Sequence, residues 1–156
     1  MATLPTSTIR LAAPPDTLDD DPPLRTVMTT DVVAIDAEAR VPTALQVMAT
    51  TGVRHLPVID RGRYLGVLVE TDLIRCLAQG SRPFDTGVTA TLRQLFRPAT
   101  QLPPTARVSD AARCMSADVS DAVLVTDHGR ILGIVTATDL IRLLARRDAQ
   151  QAPSAT

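Results

Sequence analysis

Apolar positions along the chain switch between two spacings, and they do so twice in the same order. Val32-Val33-Ala34-Ile35 is a short apolar run that predicts a strand, and residues 99–102 are its weaker counterpart. Val41, Ala44, Leu45 and Met48 then recur at i, i+3, i+4 and i+7, the stripe of a helix with one buried face. Val108, Ala111, Ala112 and Met115 repeat that stripe. Residues 55–59 and 122–126 predict strands. Each is followed by a tight hairpin turn, Asp60-Arg61-Gly62-Arg63 and Asp127-His128-Gly129-Arg130, in which Gly can take positive φ. Residues 64–69 and 131–136 are the partner strands, apolar enough for burial on both faces. A second helix is expected over 71–79 and again over 138–147.

Residues 41–79 align with 108–146 without a gap, at an offset of 67, and 16 of the 39 positions are identical. The longest shared stretch is Thr71-Asp72-Leu73-Ile74-Arg75 with Thr138-Asp139-Leu140-Ile141-Arg142. Chance does not give that many matches in register, so the chain is a tandem duplication of one β-α-β-β-α unit. A single unit is too small to bury both its helices and its sheet. The expected fold class is therefore α/β, with two repeats packed about a pseudo-two-fold axis that leaves two equivalent clefts. The expected limits are a loose tail over 1–23, a first repeat over 24–80, a polar connector over 81–91, a second repeat over 92–147 and a tail over 148–156. Both tails lack periodicity, and the first is rich in Thr, Pro and Asp.

Composition narrows the function. The formal net charge is -1, which leaves no electrostatic footprint for nucleic acid or an anionic membrane. Every basic residue is Arg, so each cation can form a bidentate fork with phosphate or carboxylate. Tyr64, Phe84 and Phe96 are the only aromatics, too few for a base-stacking platform. Cys76 and Cys114 fall inside apolar helical patterns and read as free core thiols. They and the two histidines, His55 and His128, lack metal-ligand spacing. No apolar run approaches the roughly 20 residues of a membrane span, and no secretory leader is visible, so a cytoplasmic protein is expected.

The chemistry lies in Gly133-Ile134-Val135-Thr136-Ala137-Thr138-Asp139, where a strand turns into a helix. Backbone N–H groups at a helix start are unsatisfied and can hold a phosphate or a polar ring edge. The Thr136 hydroxyl can bond a phosphate, and the Asp139 carboxylate can accept both vicinal hydroxyls of a ribose. Gly133 lets a neighbouring chain come close. The plainer alternative is that Thr138 caps the helix and Asp139 favours its positive end.

Each half resembles a cystathionine-β-synthase (CBS) domain, over about residues 24–147. The resemblance rests on three stretches, 53–60 (Val-Arg-His-Leu-Pro-Val-Ile-Asp), 65–73 (Leu-Gly-Val-Leu-Val-Glu-Thr-Asp-Leu) and 132–140 (Leu-Gly-Ile-Val-Thr-Ala-Thr-Asp-Leu). It implies a stand-alone CBS pair, a regulatory module binding AMP, ADP, ATP or S-adenosylmethionine, with no obligatory cofactor. It further implies that Thr136 contacts phosphate or ribose and Asp139 the ribose hydroxyls. The base would be gripped near Thr100 and by Ser120, Asp121 and Ala122, and phosphate by Arg54 reaching from the other repeat. The first repeat departs from the pattern: Val69 replaces the hydroxyl, although Asp72 is kept, so Asp72 and Val33 would form a weaker second site. At the position of Arg54 the second repeat carries the acidic Asp121. One competent site on Thr136 and Asp139 is thus expected. CBS-like pairs dimerise, which implies a homodimer through the apolar helix faces at 41–48 and 108–115 and an unidentified protein target. A scaffold without ligand is the alternative. An enzyme ranks behind both, because no nucleophile–base pair, metal cluster or glycine-rich dinucleotide loop is present. His55, with no carboxylate placed beside it by the sequence, reads as structural.

Overall fold

A computed structural model describes residues 20–78 and 92–151 of the chain. The β-α-β-β-α order appears twice. The first half runs β1 (Ile35–Asp36), α1 (Val41–Thr51), β2 (His55–Asp60), β3 (Arg63–Val69) and α2 (Glu70–Ala78). The second runs β4 (Gln101–Leu102), α3 (Val108–Asp118), β5 (Ala122–Asp127), β6 (Arg130–Thr136) and α4 (Ala137–Gln151). Each half has its own three-stranded sheet, ordered β1-β2-β3 and β4-β5-β6, with the first pair parallel and the second antiparallel. The fold is the expected α/β duplication.

The helix stripes do what their period demands. Val41, Ala44 and Met48 of α1 and Ala111 and Met115 of α3 are buried against the sheets. The expectation that these two faces mediate dimerisation is therefore corrected: the core of each half already covers them. Both hairpins turn through two residues at positive φ, Arg61-Gly62 (49° and 75°) and His128-Gly129 (45° and 76°), as the twist of paired strands requires.

Several limits differ from the expected ones. The first strands are shorter, at two residues each, because only Ile35–Asp36 and Gln101–Leu102 reach parallel partners in β2 and β5. Helix α4 continues to Gln151, into the stretch expected as a tail. Residues 20–23, also expected in a tail, dock on the start of α3. Asp21 accepts hydrogen bonds from the Ser109 N–H (2.8 Å) and hydroxyl (2.6 Å), and Pro23 bridges to Arg107. The connector at 81–91 and the outer parts of both tails, 1–19 and 152–156, lie outside the described residues.

The two halves exchange the segments that precede their first strands. Leu24 is fully buried among Ala111, Met115, Val123, Val125 and Val135 of the second half. Leu92 is fully buried among Val41, Leu56, Leu68 and Leu73 of the first. The exchanged chain then pairs with the outer edge of the other half's sheet, Thr29 with Ile134 of β6 (2.9 and 3.0 Å) and Arg97 with Val67 of β3 (2.8 and 2.9 Å). This covers two strand edges that would otherwise present unpaired backbone. Gly66 and Gly133 stand where these segments cross. A Cβ on Gly66 would lie 2.5 Å from the Arg97 carbonyl oxygen, and one on Gly133 2.8 Å from that of Thr29. A third cluster, with Val67, Ala122, Leu124 and Ile134, joins the two sheets into a common core.

Candidate functional site

Both candidate turns sit where the third strand of a sheet, β3 or β6, becomes a helix. Each helix start is tied to the beginning of the neighbouring strand: the Ala137 N–H donates to the Asp121 carbonyl (2.8 Å), and the Glu70 N–H to the Arg54 carbonyl (3.0 Å). The pseudo-symmetric positions Arg54 and Asp121 thus anchor the turns of their own halves through the backbone.

In the second half, the Thr136 N–H and hydroxyl both donate to Oδ2 of Asp139, each at 2.8 Å. Asp139 therefore caps α4 from its third residue, with Thr136 rather than Thr138 at the cap. Its other oxygen lies 3.6 Å from Arg142. In the first half, Val69 offers no hydroxyl, and the Asp72 carboxylate turns elsewhere. Its Oδ1 accepts from Arg97 and from Arg75 (3.3 Å), while Oδ2 is buried without a hydrogen-bond partner among the described residues.

Two cavities lie along the seam between the halves. One, of about 440 Å³, joins Thr136, Thr138, Asp139 and Arg142 of the second half to Gly52–His55 of the first, with Thr29 beside them. It brings Arg54 into the same cleft as Thr136 and Asp139. Arg54 is largely exposed and pairs loosely with Glu70, at 3.6 Å. The other cavity, of about 1090 Å³, lies by the first-half turn at Val69 and Thr71, with Arg75 and Arg97 on its wall. Both volumes suit a small-molecule ligand.

The expected site is divided between these cavities. Thr100, Ser120 and Ala122 line the larger one, away from the Thr136–Asp139 cleft; Asp121 lines both. Ala122 pairs with Thr136 across the hairpin, yet Ala122 lines the larger cavity and Thr136 the smaller. Thr100 is also engaged locally, its hydroxyl donating to Asp118. Gly133 is buried under Met28 and Thr29 and shapes the crossing rather than the cleft. Val33 packs on the first-half core and lines neither cavity.

One contact at the cavities is not visible in the sequence. His55 Nε2 lies 2.8 Å from Asp121 Oδ1, and both residues line both cavities. The imidazole is 11% exposed, so it is a fixed part of the wall. The two residues are 66 positions apart, and only packing of the halves joins them. Among the described residues no group of three His, Cys, Asp or Glu could hold a metal ion, and no helix is long and apolar enough to cross a membrane. Cys76 and Cys114 are free and half-buried.

Comparison with known proteins agrees with this architecture. The chain is 24% identical over 140 residues to the uncharacterized protein MJ1225 of Methanocaldococcus jannaschii, covering 83% of this chain and 50% of that one. It spans half or less of the length of the curated relatives it matches. Among solved structures it shares its fold with the CBS domain pair of protein MJ0100 in complex with 5′-methylthioadenosine and S-adenosyl-L-methionine. That match has a TM-score of 0.72 at 21% identity and covers 81% of this chain and 98% of that one. CBSX2 in complex with AMP gives a TM-score of 0.69 at 21% identity, with coverage of 81% and 98%. The family model of the CBS domain matches at residues 24–79 and 92–146, so the chain belongs to the CBS-domain family as a tandem pair.

Proposed function

We propose that the chain is a non-enzymatic regulatory module that binds an adenosyl ligand, AMP, ADP, ATP or S-adenosylmethionine, between its repeats and signals occupancy to a partner protein. The observation that carries this reading is the 440 Å³ cleft in which Arg54 of one repeat faces Thr136 and Asp139 of the other. Asp139, oriented by Thr136, would accept the ribose hydroxyls, and Arg54 would leave its loose contact with Glu70 for phosphate. The backbone at Ser120–Ala122 would approach the ligand from the adjoining cavity. The adenosyl compounds bound by MJ0100 and CBSX2 support the ligand class. Because both repeats line the cleft, a ligand there favours the packing that binds it best, and that bias is the signal.

A thermal-shift titration with AMP, ATP, S-adenosylmethionine and NAD at millimolar concentration tests this. A ligand that binds only the folded chain must raise its melting temperature. The reading expects a rise with at least one adenosyl compound, lost in Asp139→Ala; no rise with any of the four would sink it.

A ligand-free scaffold is the second reading, and a specific feature favours it. Ile74, Ile141 and Leu144 on α2 and α4 are 54%, 64% and 58% exposed, and Ile74 and Ile141 are equivalent positions of the two repeats. In either reading we place the homodimer contact on these exposed residues of α2 and α4.

A further inference from the structure

The exchanged segments bring the same backbone position to the wall of each cavity, with a different side chain. Arg97 pairs with Val67 on the edge of β3 and lines the larger cavity. Thr29 pairs with Ile134, the residue equivalent to Val67, on the edge of β6 and lines the smaller one. The Arg97 guanidinium donates to Asp72 Oδ1, which also accepts from Arg75. Arg75 does not distinguish the halves, because its counterpart Arg142 stands at the same i, i+3 spacing from Asp139, at 3.6 Å. Arg97 does distinguish them. Thr29 carries no cation, and Asp139 keeps the donors of its own helix start, Thr136 and Arg142. Asp139 is accordingly part of the wall of its cleft, whereas Asp72, 11% exposed, is not part of the wall of its cavity. One Asp72 oxygen is held by two guanidiniums and the other is buried, so neither is open to a pair of hydroxyls. Val69 leaves Asp72 without the hydroxyl that holds Asp139 in its turn, and Arg97 takes the carboxylate so released. At about 1090 Å³ the larger cavity does not lack space for a nucleoside.

We propose that Arg97 is an internal plug, whose guanidinium occupies the one carboxylate of the first-half turn that could accept ribose and so confines adenosyl ligands to the Thr136–Asp139 cleft. This rests on the adenosyl-binding reading above and adds the residue that decides which cavity takes ribose. The block is direct competition for Asp72 Oδ1, and one charge-assisted hydrogen bond of this kind corresponds to about tenfold or more in affinity.

The test is titration of the full chain with adenosine, which carries ribose and no phosphate, by calorimetry, with native mass spectrometry to count bound ligands. Wild type, Val69→Thr and the double variant Val69→Thr/Arg97→Thr are compared. Thr is what the second half carries at the position of Arg97, the Arg97 side chain is 54% exposed, and its pairing with Val67 is made by the backbone, so the fold accepts the change. The expected result is one adenosine per chain in wild type and in Val69→Thr, where the guanidinium still holds Oδ1, and a second adenosine in the double variant. A second adenosine in wild type or in Val69→Thr alone overturns the plug, because the guanidinium is then no barrier. A double variant that stays at one overturns it as well, because the barrier then lies elsewhere. The reverse exchange is an independent arm: Thr29→Arg sets a guanidinium at the equivalent place beside the competent cleft and should weaken adenosine by at least about tenfold. An unchanged affinity there overturns the plug too. No binding by any of the four proteins removes the adenosyl reading itself, and the plug with it.

Discussion

Thr136 gives both its backbone N–H and its hydroxyl to one oxygen of Asp139. Its counterpart Val69 can give no hydroxyl, and Asp72 turns to Arg97 and Arg75 instead. One methyl-for-hydroxyl difference between the repeats therefore decides how each acidic side chain is presented. Thr136→Val is expected to cost about 1 kcal/mol of stability, the value of one hydrogen bond to a cap. It should also weaken adenosyl ligands about tenfold, while Asp139→Ala abolishes their binding and Asp72→Ala matters less. Thermal melts and ligand titrations on the three variants check this; equal losses at Asp139 and Asp72 would show that the two turns are equivalent.

Arg54 is the cation expected to meet phosphate. Arg54→Ala should weaken ADP by about tenfold, one charge-assisted contact, and adenosine by less than about twofold. Stability should barely change, since an exposed 3.6 Å ion pair with Glu70 contributes little. Parallel calorimetric titrations of ADP and adenosine separate these effects, and equal losses would remove Arg54 from the phosphate role.

The exchanged segments make Gly66 and Gly133 intolerant of a side chain. Gly66→Ala would drive a Cβ to within 2.4 Å of the Phe96 ring and 2.5 Å of the Arg97 carbonyl oxygen. Gly133→Ala would meet Met28 and the Thr29 carbonyl at 2.7 and 2.8 Å. Each should destabilise by about 1–3 kcal/mol in urea unfolding, with Gly66→Ala the worse because its neighbours are a ring and a backbone atom. A neutral result at both would contradict the crossing.

Val119 ends α3 in the left-handed region, at φ 50° and ψ 44°, where the first repeat has Gly52 at φ 73°. A β-branched residue is strained there. Its side chain is 87% exposed, so little packing is at stake. Val119→Gly is expected to stabilise the chain by about 1 kcal/mol, and Gly52→Val to destabilise it by a similar amount, measured by urea unfolding.

Asp21 ties the first exchanged segment to α3. Its pKa is lowered from the usual 3.8, chiefly by the Ser109 hydroxyl, then by the Ser109 N–H, with Arg107 and Arg113 adding to the effect. A carboxylate with a depressed folded-state pKa contributes stability that is fully present above its unfolded value and is lost as pH falls through the folded one. Wild type should therefore lose stability below about pH 4, and Asp21→Asn should lose less over the same range. Melting temperature against pH, measured for both proteins, tests this; parallel curves would mean that the Asp21 contact is not formed.

Much was legible in the residues. The 67-residue offset gave the two halves, the i, i+3, i+7 stripes gave the buried faces of α1 and α3, and the Gly-containing hairpins fell where their positive φ is needed. Gly133 was read as a place of close approach, and it is one. These are local or periodic signals, in which the backbone period or a single φ dictates the residue type.

The tertiary structure decided what depends on which half meets which. The sequence alone fixed the duplicated β-α-β-β-α units and the strand-to-helix turns at Thr71-Asp72 and Thr138-Asp139, because hydrophobic period and turn chemistry act over a few residues. The CBS resemblance implied that Thr100, Ser120 and Ala122 join Thr136 in one site, whereas packing placed them in the neighbouring cavity. The sequence offered no carboxylate to His55, whereas packing brought Asp121 to 2.8 Å. The resemblance likewise implied the α1 and α3 stripes as contact faces, whereas the sheets and the exchanged Leu24 and Leu92 buried them. Contacts between residues some 66 positions apart leave no mark on local periodicity, because either side chain would fit its own strand or turn equally well without the other. The repeated turn was written in the sequence; the partner it faces was set by the fold.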